Sequence, residues 1–226
     1  MDEWDVDSLE DTLKRLVADA IDGERQLVAA LEGASESVRT GIVAALGEAT
    51  GEQGGPLLRA LAEDRSVDTD TRAMAIIALA KRVGSEGSAT YSACLRHRDV
   101  ILREAATIAM ASVGDARDVE VFRERLVKAV TAHPGGGPRL IPKQMLSTKS
   151  DILQAVVYLV RHLDESARQE LASCLFRHRE ALAKPEREWL TVYWPEAAGF
   201  TDAGLPPDIP DLVAWQKKPL LDPYFS

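Results

Sequence analysis

The side chains able to do chemistry are few and scattered. His97, His133, His162 and His178 stand far apart, and none has the i, i+4 spacing that lets two imidazoles on one helix face grip a metal. Cys94 and Cys174 lie in apolar helical patterns, with no CxxC and no histidine at ligand spacing, so buried reduced thiols are expected. No GxSxG is present, and acid pairs such as Glu10–Asp11 or Asp208 and Asp211 are common in any acidic chain. The run GGGPR, ending at Arg139, lacks the GK[ST] of a phosphate-binding loop, and no strand precedes it. The sequence therefore predicts no catalytic residue, no metal and no cofactor, and the expected protein is not an enzyme.

Charge is distributed more tellingly. The chain carries a net −9 at neutral pH, and the segment from Met1 to Glu32 alone holds ten acids against three bases, a net −7. Such a segment reads as a solvated acidic helix, or as an acidic surface for a basic partner. An acidic balance disfavours general nucleic-acid binding, because phosphate contacts are made mainly by Lys and Arg. The exception is HPGGGPRLIPKQMLSTKS, residues 133–150, with three glycines, three prolines, no acid, and Arg139, Lys143 and Lys149. It is expected to be a long basic loop, either a linker between helices or a contact for an anionic ligand or acidic surface.

The elements that would position these residues are helical. Apolar residues make up 46% of the chain, but they are mostly Ala, Leu and Val, which suits closely packed helices and leaves few strand-like runs. Self-comparison finds three similar segments: SVRTGIVAALGEATG, DTRAMAIIALAKRVG and ILREAATIAMASVGD. Their arginines, Arg39, Arg72 and Arg103, recur 33 and then 31 residues apart. Ile42, Ala44, Ala45 and Leu46 follow the first, Ala75, Ile77, Ala78 and Leu79 the second, and Ala106, Ile108, Ala109 and Met110 the third. An earlier helix precedes each copy, marked by Leu27/Leu31, Leu57/Leu61 and Tyr91/Leu95, and Phe122/Leu126 continues the series. Ser35, Asp68 or Asp70, and Asp99 are placed to cap the second helix of each pair.

A helix–turn–helix unit of this length cannot bury its own apolar face, but stacked copies can. The pattern resembles HEAT repeats, particularly the short bacterial kind related to those of phycobiliprotein lyases. There the second helix opens with Val-Arg, as Val38-Arg39 does here, with Thr71-Arg72 and Leu102-Arg103 as variants. The likeness covers about residues 23–130. It implies an all-α fold, a right-handed α-α superhelix (a HEAT-like α-solenoid) with helical caps and an extended C-terminal tail. It also implies that the repeated arginines are structural and pair with acids of neighbouring loops. The second helices would line a concave face, leaving Thr40, Val43, Ile76, Glu104 and Thr107 toward a partner.

At the ends, Leu9, Leu13, Leu16 and Val17 form one face of an N-terminal capping helix. Helical periodicity returns at Asp151–Leu163 and Ser166–Ala183 as divergent repeats, and Trp189, Tyr193 and Trp194 are expected to cover the end of the stack. Residues 1–204 are taken as the repeat domain, and 205–226 as a Pro-rich aromatic tail packed on it. Trp215, in that tail, is the remaining candidate contact. The acidic start MDEWDVDSLED is unlike a signal peptide, and no apolar run approaches the roughly 20 residues that span a bilayer, so a cytoplasmic protein is expected.

The expected function is a non-enzymatic, protein-binding scaffold or adaptor, a monomer or weak oligomer, whose partner the sequence does not identify. One version is an immunity or inhibitor protein that presents an acidic surface. The alternative is a nucleic-acid-binding or repair protein of the HEAT-like alkylpurine DNA glycosylase class, for which a basic concave groove would be required. A bilin lyase is the other enzyme type on this architecture, but no residue here singles out a bilin site.

Overall fold

The computed structural model of the chain describes residues 6–131, 141–195 and 209–221. Every regular element among the described residues is helical, as the composition predicts, and no described helix is long and apolar enough to cross a membrane. The chain forms two compact units, Met1–Gly114 with Trp215–Ser226, and Asp115–Ala214. The boundary drawn from sequence lay between residues 204 and 205.

The first unit contains α1 (Val6–Ala18), α2 (Ala20–Leu31), α3 (Glu36–Glu48), α4 (Gly54–Glu63), α5 (Thr69–Val83), α6 (Ser88–Cys94) and α7 (Val100–Val113). Helix α5 packs against α3 and α7, so these three lie side by side, while α4 packs on α3 and α5 and α6 on α7. Helix α1 covers α2 and α3, with Leu13 buried and Leu9, Leu16 and Val17 partly so. The buried stripe of α4 is Leu58 and Ala62, one position on from the predicted Leu57/Leu61 pair, which is half-buried. Leu27, Tyr91 and Leu95 are buried as the pattern predicts.

The second unit contains α8 (Val119–Thr131), α9 (Leu146–Lys149), α10 (Asp151–His162), α11 (Glu165–Arg177) and α12 (Lys184–Tyr193). Helices α8 and α10 pack together, with Phe122 and Tyr158 stacked at 4.1 Å. The tyrosine hydroxyl donates to Asp115 O and accepts from Asp118 N–H at 3.1 Å, closing the turn before α8. Of the long loop expected at 133–150, residues 133–140 lie outside the described residues, and most of the remainder is helical. Lys143–Met145 form a 3-10 turn that runs into α9, because Leu146 finds a buried site.

Short helices leave many unpaired backbone groups at their ends, up to four N–H and four C=O per helix. Acidic and hydroxyl side chains satisfy the starts. Asp68 accepts from Thr71 N–H, Asp99 from Ile101 N–H, Asp164 from Ala167 N–H and Ser150 from Leu153 N–H. Ser35 holds the cap position of α3 without making that bond.

Arginine satisfies the chain just upstream. Four residues after each cap position, Arg39 donates to Ala34 O at 3.2 Å, Arg72 twice to Ala62 O at 3.2 Å, and Arg103 to His97 O at 2.8 Å. The same clasp recurs in the second unit, where Arg168 donates to Leu163 O at 3.0 Å and Arg187 to Leu182 O at 2.7 Å. Arg39 also reaches Asp68 of the next helix pair at 3.8 Å, the type of pairing the resemblance implies.

Among the described residues, each unit also buries a carboxylate where helix ends converge. Glu24, counted from sequence among the surface acids, is buried instead. It accepts from Gly54 N–H at the start of α4 and from Arg82 at 2.9 Å. Arg82 also donates to Leu46 O at 2.5 Å and to Gly51 O. A Cβ at Gly51 would stand 1.5 Å from Glu24 Oε2, so only glycine lets the loop close on this pair. In the second unit Glu186 accepts from Ser150 Oγ at 2.5 Å and from Ala183 N–H at 2.7 Å.

Removing one member of a buried ion pair strands the other, at a cost of about 3–5 kcal/mol. Glu24→Ala is expected to lower stability by that order, and Gly51→Ala to lower it in the same direction, both read from urea-unfolding midpoints.

The cap carboxylates carry a pH signature. Burial alone would raise the Asp68 carboxyl, but hydrogen bonds from Thr71 and the charge of Arg39 outweigh it and hold the group below its usual 3.8. Asp99 is likewise lowered, with desolvation outweighed by the Ile101 and Leu102 amides and the Thr69 hydroxyl. A lowered folded-state value gives stability that is present above 3.8 and is lost as pH falls through the lower folded value. Asparagine caps about as well without titrating. The melting temperature of the natural chain should therefore drop on acidification below 3.8 more steeply than that of Asp68→Asn/Asp99→Asn.

Candidate functional site

The exposed sides of α3, α5 and α7 are where sequence reasoning put the partner contacts, and the structure redistributes them. Thr40 and Glu104 are half-buried, and the Thr40 hydroxyl donates to Glu36 O at 3.2 Å. Ile76 and Val43 are fully buried, and Thr107 is buried with its hydroxyl donating to Arg103 O at 2.7 Å. Ile77 and Ile108, predicted for the core, are only half-buried. The reason is that α5 has neighbours on several sides (α3, α4 and α7), so its buried arc is wide and a one-residue rotation exchanges Ile76 with Ile77. Ile76, Val43 and Thr107 are thus core residues and present no free surface in this chain.

What lies on this layer of helices is the chain's own tail. The segment from Trp215 to Leu221 is anchored at two ends. Trp215 is buried, and its indole Nε1–H donates to Ser112 Oγ on α7 at 3.1 Å. The Gln216 side-chain amide donates to Ser112 O at 3.2 Å. At the other end Leu220 is buried at the crossing of α3 and α5. A Cβ on Gly47 would lie 3.0 Å from Leu220 Cδ1 and 2.8 Å from the Ala78 Cβ. Small residues on both helices thus make room for the leucine side chain.

Charged groups hold the tail backbone beside that leucine. Glu48, at the end of α3, accepts from Leu220 N–H at 2.7 Å and pairs with Lys81 of α5 at 2.6 Å. Lys81 also donates to Lys218 O. Both side chains are largely shielded, 12% and 18% exposed for Lys81 and Glu48, which strengthens bonds that bulk water would weaken. Between the two ends, Lys217, Lys218 and Pro219 are exposed.

Sequence reasoning found Trp215 and the apolar character of the tail but missed Glu48, Lys81, Ser112 and Gly47. Their only sequence signal is position. Glu48 and Lys81 stand nine residues after Arg39 and Arg72, and Ser112 nine after Arg103, so the three are equivalent places on successive helices.

Arg139 lies outside the described residues, Lys149 is exposed on α9, and the half-buried Lys143 pairs with Glu188 at 3.6 Å. In the second unit Trp189 stacks on Tyr193 at 4.9 Å, and their polar ends donate to Pro210 O at 3.1 Å and Ile209 O at 3.3 Å, so these aromatics hold the chain after residue 208. Trp194 is buried.

Cys94 is a buried free thiol that desolvation pushes up from its usual range, and Cys174 is free and half-buried. His162 packs on Tyr158 at 4.6 Å, and the Nδ1 of His97 accepts from Asp99 N–H. Among the described residues no group of three or more His, Cys, Asp or Glu side chains is disposed to hold a metal ion.

Searches of protein-family models, curated proteins and solved structures each found no match to this chain.

A carboxylate acceptor is worth about 1 kcal/mol more than a neutral one, or roughly fivefold in an opening equilibrium. Glu48→Gln should therefore speed hydrogen exchange of the Leu220 amide about fivefold, with the amides in the middle of α5 unchanged.

Proposed function

We propose that the chain is a non-enzymatic, protein-binding scaffold built from HEAT-like helical repeats, and that it recognises its partner on the layer formed by α3, α5 and α7. The observation that carries this is the repeated cap and arginine clasp on three helices that pack side by side, Asp68/Arg72 and Asp99/Arg103 repeating the Ser35/Arg39 arrangement. A repeat of this kind presents equivalent side chains at regular intervals, which suits recognition of an extended partner. The mechanism is a preformed surface on which a few apolar anchors supply most of the affinity.

The narrower version, an inhibitor of a basic protein, draws on the remaining N-terminal acids. Asp11, Asp19 and Glu32 are exposed, whereas Glu10 pairs with Lys14 and Asp22 with Arg25 at 3.1 Å. The nucleic-acid alternative has less support, because the charge of Lys143 is already paired with Glu188.

Affinity capture with the intact chain as bait, followed by mass spectrometry, tests the proposal. One dominant protein in the eluate is expected, and for the inhibitor version that protein is basic and its retention falls as salt rises. An eluate without an enriched protein, or one rich in nucleic acid, would contradict the scaffold reading.

A further inference from the structure

We infer that the α3–α5–α7 layer is a groove for a short irregular peptide, that the chain's own residues 215–221 occupy it as a built-in competitor, and that the natural partner carries a segment of the same chemistry. This rests on the scaffold reading and names the partner class for it.

The contacts have the form of peptide recognition. Two side chains five residues apart enter the surface, Trp215 and Leu220, while Lys217, Lys218 and Pro219 between them face solvent and Gln216 bonds to Ser112 O. The groove meets main-chain atoms with charged groups, Glu48 taking the Leu220 N–H and Lys81 the Lys218 carbonyl. Bonds to main-chain atoms give affinity to any segment that can follow the same path, and the two buried anchor side chains give selectivity. The indole N–H to Ser112 favours tryptophan at the first anchor, and the space over Gly47 fits leucine at the second. The middle of the tail, Lys217 and Lys218, is cationic, in keeping with a chain of net −9. The partner segment is therefore one with tryptophan followed five residues later by leucine, able to take the same single turn between them.

Covalent attachment makes docking of the tail intramolecular, so a free peptide competes poorly until the tail is weakened. A ligand's apparent dissociation constant rises as the open fraction of its site falls. The tail thus sets a threshold that admits only segments of comparable fit, or those delivered at high local concentration.

The test uses the full chain and a fluorescein-labelled synthetic peptide, LVAWQKKPLLDPYFS, the sequence of residues 212–226. The variant Trp215→Ala/Leu220→Ala should bind it with a Kd at least about tenfold lower than the intact chain does, the emptied groove accepting the peptide. The same peptide with alanine at both anchor positions should not bind either protein. If the double variant does not fold by circular dichroism, Trp215→Phe replaces it. That change loses one hydrogen bond and should lower the peptide Kd about fivefold.

Equal affinity of a folded variant and the intact chain, or equal binding of the alanine peptide, would overturn the inference and make the tail a purely structural segment. A concentration-dependent dimer of the intact chain in sedimentation would also overturn it, by giving the groove to a second copy's tail. Neither result touches the scaffold reading if affinity capture still yields one dominant protein. The partner would then use another face.

Discussion

A protein made of helices mostly ten to fifteen residues long is dominated by helix ends. Each end leaves backbone N–H or C=O groups that the helix itself cannot pair, and burying one without a partner costs about 1–3 kcal/mol. Here polar side chains at recurring places supply the missing partners. Asp68, Asp99, Asp164 and Ser150 serve the starts. The clasping arginines serve the carbonyls just before those starts, and Glu24 and Glu186 take the amides where two elements meet.

The arginine clasp explains why one residue type recurs at one place. Guanidinium stays charged at any ordinary pH and offers five donors on a long, mostly apolar stem. It can therefore lie along the first turn of its own helix and still reach back to the preceding carbonyl. Lysine would offer a point charge with fewer fixed directions. The clasp ties the start of one helix to the segment before it. Small residues complete the effect: with Ala and Gly at the contacts between α3, α5 and α7, the helices approach closely and leave room above Gly47 for the tail.

The tail uses the same logic in reverse. It forms only one short helical turn, so its backbone atoms must find partners on the surface that receives it. Glu48 and Lys81 supply two of them, and Ser112, at the equivalent position on the third helix, takes the Trp215 indole N–H. A surface able to satisfy one irregular segment in this way is suited to satisfy another.

By itself the sequence determined the helical class, the period of the repeat, the cap at Asp99, a cap at Asp68 or Asp70, and the apolar character of the tail. Each of these is a local property, set by side-chain periodicity, cap chemistry or composition within one or two turns. DESAR and AKPER, which carry Arg168 and Arg187 into the clasp, were present in the sequence too, but their spacing departs from the regular period and hid them. Tertiary structure alone decided that Ile76 is core and Ile77 is not, because that choice depends on how many neighbours α5 has. It alone decided that Glu24 is buried against Arg82, 58 residues away, and that Leu220 lies on Glu48, 172 residues away. Such pairings are chosen by which helix ends meet in space, and no local pattern in the chain records that.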